Sequence, residues 1–326
     1  MKRIHIPLLA VDGGGTKCLA VFADTDKSIR GTGRAGSCNY QGIGVESAAR
    51  ELIKAIGQAM DDTLRDHQEN HVQWDVECAV FGLAGLDTEH DRRILKQMVE
   101  GVLQQLQIRV RHLIVENDGF AALLGATNGE AGILVIAGTG SIAYGVNGQG
   151  VTARAGGWGH RVGDEGSGFW IGKQAITAVL KAADGRGEAT SLSALLLPYL
   201  GLSHVEDLFN WTYGDEYSVE KVGELSRLVS QAAAYGDQAA ARILEAASEE
   251  LYHAARAVIH ALEMTDKPFK MILQGGVLQN DERVRGMVLG KIRRITPFVQ
   301  IETAKNDPIY GVIAKGLAFL QKQSKT

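Results

Sequence analysis

The 326-residue chain has three cysteines, Cys18, Cys38 and Cys78, all in its first third and none in a C-x-x-C pair. That excludes a disulfide frame and a zinc knuckle and points to buried thiols in a reducing compartment, the cytoplasm. It has no run of 18 apolar residues, so no membrane span is expected. Its 34 Lys and Arg against 38 acids leave a net charge of −4 and form no basic run or stripe, which argues against nucleic acid as a partner. The Walker A pattern is missing as well. The nearest stretch, SGFWIGKQ (167–174), has Ser167 where the first glycine belongs and Gln174 where the hydroxyl belongs. With 45% hydrophobic and 22% charged residues, the composition is that of a globular chain long enough for one large or two medium domains.

Glycine, by contrast, is plentiful, at 40 residues, most of them in motif positions. The opening MKRIHIPLLAVDGGG has two basic residues and a short apolar run that ends at Asp12, and it reads as a first strand rather than a leader. Strand 6–11 is followed by segments 18–24 and 28–35 that return as a meander. A helix over 45–65, a strand over 76–85, a helix over 89–105, a strand over 112–118 and a helix over 119–126 come next. The pattern then recurs. AGILVIAGTGS (131–141) resembles LLAVDGGGT (8–16) in being an apolar strand that breaks into a small-residue loop ending in a hydroxyl. This weak internal repeat suggests two halves of related architecture. Helices are expected over 165–183, 191–200, 203–211, 219–235, 237–263, 280–294 and 308–322, with strands over 270–276 and 298–301. Alternating strands and helices make the class α/β.

Three strand-to-glycine units stand out: Asp12–Thr16, Ala137–Ser141 and Gln274–Gly276. Backbone N–H groups in such turns bind anions, and glycine admits phosphate oxygens. Together they point to a nucleotide. Gly138, Gly140 and Ala143 match G-x-G-x-x-[GA], but that fingerprint needs a helix after it. Here IAYGVNGQG follows and reads as a β-hairpin with an Asn-Gly turn, which excludes a dinucleotide fold. Asp12 beside the first loop implies a cation between acid and phosphate, or an Asx turn. Asp118 ends a strand just before a helix, where a helix cap and a catalytic base are both open. GGWGHRVGDEGSG (156–168) places Trp158, His160, Arg161, Asp164 and Glu165 on a glycine-rich backbone, which no flexible linker needs.

VDGGGTK (11–17), GLAG (82–85), END (116–118), AGTGS (137–141), GGWGHRVGDEGSGFWIG (156–172) and QGGV (274–277) together resemble the N-acetylglucosamine kinases, within a wider family that also holds ATPase activators of 2-hydroxyacyl-CoA dehydratases. The resemblance covers nearly the whole chain. It implies a two-lobed actin-like (ribonuclease H-like) fold with ATP and sugar bound in the interlobe cleft. One lobe would be 1–118 with 307–326 and the other 119–306, and the assembly would be a homodimer. It implies ATP and Mg²⁺ as cofactors and phosphorylation of the 6-hydroxyl of an amino sugar, N-acetylglucosamine foremost, with glucosamine or another N-acetylhexosamine as alternatives. Asp118 is then the general base and a sugar ligand, beside Asn39, Gly157, Trp158, Gly159 and Asp164. Gly13, Gly14, Gly15, Thr16, Gly138, Thr139, Gly140 and Ser141 hold the phosphates of ATP. Ala233 and Gly276 lie near the adenosine, and Asp12 organises Mg²⁺ through water. Arg161 has no matched role; Lys17 is open to neutralising phosphate charge or to the surface, and His160 to a hydrogen bond within its loop or a structural place. One departure bears on the substrate: Ala84 stands where these kinases often carry a hydroxyl. The activator role would need cysteines for a [4Fe–4S] cluster, and none follows Cys78. A sensor without catalysis would have no use for Asp12, Asp118 and the phosphate loops.

Overall fold

Ile6, Leu8, Leu9, Ala10 and Val11 of the first strand, β1 (Lys2–Gly13), are all fully buried, as an unbroken apolar run must be when both faces of its sheet are covered. In the computed structural model, which describes residues 2–65, 72–127, 130–302 and 307–323, β1 pairs antiparallel with β2 (Cys18–Ala23), and β2 antiparallel with β3 (Ile29–Ala35). Helices α1 (Tyr40–Ile43) and α2 (Val45–Thr63) follow. Then β4 (Val72–Leu83) joins β1 in parallel and, after α3 (Glu89–Gln105), β5 (Ile108–Asn117) joins β4 in parallel. The sheet order is β3-β2-β1-β4-β5. Helix α2 covers one face through Ala48, Leu52, Ala55, Ile56 and Ala59, against Phe22 and Trp74, whose rings stack at 5.2 Å.

The other face is covered by α4 (Asp118–Thr127) and by the C-terminal helix Pro308–Gln323, which bring Ala121, Ile309, Val312 and Ile313 onto Leu8, Ala10, Cys78 and Val80. These two helices cross at Gly125 and Gly311, where a methyl on Gly311 would overlap the backbone of Ala121. The chain divides into one unit of residues 1–130 with 304–326 and a second of 131–303. The first therefore runs past the break expected at residue 118, because α4 packs on the sheet that precedes it.

The second unit repeats the plan. β6 (Gly132–Ala137), β7 (Ser141–Val146) and β8 (Thr152–Gly156) form an antiparallel meander. Then β9 (Phe269–Gln274) joins β6 in parallel and β10 (Val299–Glu302) joins β9, giving β8-β7-β6-β9-β10. This is the topology of the first sheet, strand for strand. The weak sequence repeat is thus the trace of two equivalent sheets. The Asn147–Gly150 turn joins β7 to β8, with the Gly150 N–H donating to the Asn147 carbonyl at 2.9 Å. β8 itself, an edge strand of small and polar residues, is the return limb that the Asn-Gly turn implies, although no range could be read for it from the sequence.

Helices α5 (Gly168–Ala183), α6 (Leu192–Tyr199), α7 (Val205–Thr212), α8 (Val219–Glu224), α9 (Ser226–Ala234) and α10 (Gln238–Ala261) lie between β8 and β9, and α11 (Gly276–Asn280) and α12 (Glu282–Ile295) between β9 and β10. The single helix expected over 219–235 is two, since Ser226 Oγ turns back to donate to the Gly223 carbonyl at 2.7 Å. The one expected over 280–294 begins later, at Glu282, after Asp281, whose carboxylate caps α12 by accepting the Val284 N–H at 3.0 Å. Among the described residues no helix is long and apolar enough to cross a membrane.

Candidate active site

The glycine loop after β1 is a hairpin between antiparallel strands, with Gly13 opposite Cys18. Its backbone is anchored from three sides. The Gly14 N–H donates to the Lys17 carbonyl at 2.9 Å, the Ala84 N–H to the Gly13 carbonyl at 2.8 Å and the Cys38 N–H to the Gly14 carbonyl at 3.1 Å. Gly15, Thr16 and Lys17 are exposed, and nothing lies within 4 Å of where a Gly15 Cβ would sit. The packing of the fold therefore leaves Gly15 free to meet a ligand.

The same end of the sheet gathers the other motifs of the first unit. Asn39 caps α1, its Oδ1 accepting the Gln41 N–H at 3.1 Å, and Gln41 Nε2 donates to the Gly85 carbonyl at 3.3 Å. Tyr40 OH donates to Asp91, the capping-box acid of α3. Asn39, the 82–85 turn, the first glycine loop and Asp118 thus collect at the carboxyl ends of β1, β4 and β5, where open α/β sheets bind ligands.

Two acids lie there. Asp12, the penultimate residue of β1, is buried, and burial raises its carboxyl to about 6. Asp307 adds to the shift and Lys17 opposes it. Asp118 opens α4, and burial first, then the charge of Asp12, raises it also to about 6. A desolvated carboxylate beside another carboxylate holds its proton more tightly on both counts. The helix cap is shared. The Gly119 N–H donates to Asn117 Oδ1 at 2.8 Å and to Asp118 Oδ1 at 2.9 Å, and Asn117 Nδ2 donates to the Leu86 carbonyl at 3.2 Å. Asn117, a residue the sequence reading gave no separate role, takes over the capping, and Asp118 keeps Oδ2 toward the loop, 3.9 Å from where a Gly14 Cβ would sit. The signal for Asn117 is its place next to the acid at a strand-to-helix junction.

In the second unit the loop between β6 and β7 is also a hairpin, closed by Gly138 N–H donating to the Gly140 carbonyl at 2.9 Å. It is not followed by a helix, as the rejection of the dinucleotide fingerprint requires. Gly275, φ +89°, lies against its base, and a Cβ there would overlap the Ala137 carbonyl. The third glycine unit therefore supports the second.

Gly156, Gly157 and Gly159 all have positive φ, and a Cβ on Gly157 would overlap Ile142. Backbone conformation thus accounts for much of the glycine in this stretch. Trp158 is 60% exposed, with the Arg154 guanidinium 4.6 Å from its ring centre. His160 packs edge-on against Phe169 at 5.4 Å, Arg161 is exposed and Asp164 is buried.

A cavity of about 780 Å³ opens beside the β6–β7 loop, lined by Gly138, Thr139, Gly223, Arg227, Ser230, Gly276 and Asn280 among others. Thr139 and Gly276 both line it. Ala233 is buried in the core one turn beyond Ser230 on α9 and is not in the wall. The lining from α8 and α9, and Asn280 of α11, was missed because no local motif marks those residues, which meet only in three dimensions. A volume of this size with a small-residue floor and a polar rim suits a nucleoside.

The profile of the BadF/BadG/BcrA/BcrD ATPase family matches residues 9–311. The chain belongs to this family. Within the family it is 34% identical over 306 residues to the N-acetylmuramic acid/N-acetylglucosamine kinase of Clostridium acetobutylicum, across 94% of this chain and 96% of that one. It is 32% identical over 323 residues to the N-acetyl-D-glucosamine kinase of Dictyostelium discoideum, across 97% and 98%. The crystal structure of a Chromobacterium violaceum protein, described as a candidate N-acetylglucosamine kinase, matches with TM-score 0.70 at 25% identity, covering 95% of this chain and 98% of that one. The two sheets of common topology are those of the actin-like ATPase fold.

Proposed function

We propose that this ATPase-family protein transfers the γ-phosphoryl group of ATP to the 6-hydroxyl of an amino sugar, N-acetylglucosamine foremost, giving N-acetylglucosamine 6-phosphate and ADP. The observation that carries this is the pair of acids, buried Asp12 and half-buried Asp118, both raised to about 6 beside a glycine hairpin open to a ligand. Asp118 takes the proton of the sugar hydroxyl as its oxygen attacks the γ-phosphorus and the bond to the β-phosphate oxygen breaks. Phosphoryl transfer asks the protein for position, charge neutralisation and one base, and a carboxyl titrating near 6 is ionised yet basic at neutral pH. In the first unit, Gly13–Thr16 hold phosphates and Asn39 meets the sugar. In the second, Gly138–Ser141 hold phosphates, the cavity beside Gly276 takes the adenosine, and Gly157–Gly159 with Asp164 read sugar hydroxyls. The exposed indole of Trp158 offers an apolar face.

Asp12 fits Mg²⁺. A buried acid beside phosphates repels them without a cation, so Asp12 would hold the ion, through water. Mg²⁺ would supply neutralisation of charge on the transferring phosphoryl group. The protein works in the cytoplasm, in keeping with three free, buried thiols, and the family resemblance points to a homodimer, which light scattering reads directly.

A second substrate, N-acetylmuramic acid, is favoured by the double name of the Clostridium relative and by Ala84, which brings no hydroxyl to the 82–85 turn. An ADP-release assay with Mg·ATP against N-acetylglucosamine, glucosamine, N-acetylmannosamine, N-acetylmuramic acid, glucose and no sugar tests the reading. Turnover with one or two amino sugars and little without sugar is expected. Sugar-independent hydrolysis, or none at all, overturns it.

A further inference from the structure

The β6–β7 loop and the segment between β8 and α5 are tied together bond by bond. The Gly157 N–H donates to the Ser141 carbonyl at 3.0 Å, Ser141 Oγ to the Glu165 carbonyl at 2.6 Å, the Gly168 N–H to the Gly138 carbonyl at 2.7 Å and the Phe169 N–H to the Thr139 carbonyl at 3.3 Å. Asp164 sits among these ties. It is buried and has φ +59°, a backbone conformation that costs a non-glycine residue on the order of 1–2 kcal/mol. Its Oδ1 accepts the Ser141 N–H at 3.4 Å, and its carboxylate also accepts the backbone N–H of Gly159. Its Oδ2 lies 2.9 Å from where a Gly140 Cβ would sit. One carboxylate therefore touches the glycine segment on one side and the phosphate loop on the other, in a conformation the local backbone does not favour.

We infer that Asp164 is a positioning residue that couples the two substrates. Through it, a sugar on the Gly157–Asp164 segment sets the shape of the Gly138–Ser141 phosphate loop, and phosphates in that loop set the affinity for sugar. This rests on the kinase reading above. A carboxylate has about four lone-pair sites. Backbone donors from both segments occupy some of them, and a sugar hydroxyl that takes another redistributes the charge facing Ser141. Coupling of this kind is reciprocal. It reserves a well-formed phosphate loop for the moment when an acceptor other than water is present.

The test is calorimetry of the full chain with N-acetylglucosamine and a non-hydrolysable ATP analogue with Mg²⁺, each alone and each in the presence of the other. In the wild type, sugar is expected to tighten analogue binding by about 5- to 100-fold. Asp164→Asn keeps the volume and loses the charge, and it is expected to bring that factor below about 2 with thermal stability retained. Gly140→Ala alters the phosphate loop but presses on the Asp164 carboxylate, so sugar affinity without nucleotide is expected to fall several-fold. Gly15→Ala, in the other loop, is expected to leave it unchanged. Wild-type coupling surviving in Asp164→Asn, or unchanged sugar affinity in Gly140→Ala, overturns the inference while leaving the kinase reading intact. Should Asp164→Asn fail to fold, Gly140→Ala decides. A wild type that binds both ligands without coupling also overturns it. One that neither binds nor phosphorylates an amino sugar overturns the kinase reading and this inference with it.

Discussion

Asp118 and Asp12 carry the same shift from the same cause and have different expected roles. Asp118→Asn removes the base and is expected to lower kcat by about 10²- to 10⁴-fold with sugar affinity nearly unchanged. Stopped-assay kinetics beside sugar calorimetry would show it, and full activity would end the assignment. In the wild type, kcat/KM should rise with pH through about 6 and then level, because the base works ionised; the step belongs to the pair rather than to one acid. Stability runs the other way. A carboxyl raised from 3.8 to about 6 by folding contributes stability that is present below pH 4 and lost as pH rises through 6. Asp12→Asn should therefore stabilise the ligand-free protein at pH 7.5 by on the order of 2–3 kcal/mol, read as a higher melting temperature, while abolishing the stabilisation by Mg·ATP. Thermal scans from pH 4 to 8 check both. At this scale the sequence was informative about Asp12 and Asp118 because each closes an apolar strand. It said nothing of Arg227, Ser230 or Asn280, whose meeting in one cavity depends on helix packing.

The strand–loop–strand element shows how glycine positions divide between ligand and fold. Gly15 has open space around it and Gly157 has none. Gly15→Ala should leave the melting temperature unchanged and raise the KM for ATP several-fold. Gly157→Ala forces an overlap with Ile142 at φ +71° and should cost at least about 2 kcal/mol before any ligand is added. If Gly15→Ala kept wild-type KM, phosphates would not approach that loop closely. The hairpins themselves were legible in the sequence, down to the Asn147-Gly148 turn, since turn chemistry is local. The break at Leu225 was not, because a helix interrupted by a side chain returning to its own backbone keeps its apolar period, nor was α11, whose five residues are too few to show one.

At the scale of the molecule, each sheet has one partner arrangement and the first borrows a helix from the far end of the chain. Removing 308–326 would uncover Leu8, Ala10, Cys78 and Val80. The truncated chain should lose solubility or melt at least 10 °C lower, and Cys78, now fully buried, should react with a thiol reagent. A stable truncated chain with an unreactive Cys78 would show that the helix is dispensable to that unit.

Apolar runs broken by Gly–Thr and Gly–Ser loops were enough, by themselves, to specify the α/β class, the two-fold repeat and the residues at the loop tips, because strand period and turn chemistry act over a few residues. Which unit owns α4, where the cavity beside Gly276 lies and what Asp164 touches were decided only by the tertiary structure. Each depends on groups far apart in sequence, such as Gly125 with Gly311, Thr139 with Gly276 and Ser141 with Asp164, and the energy of such contacts exists only once packing has brought them together.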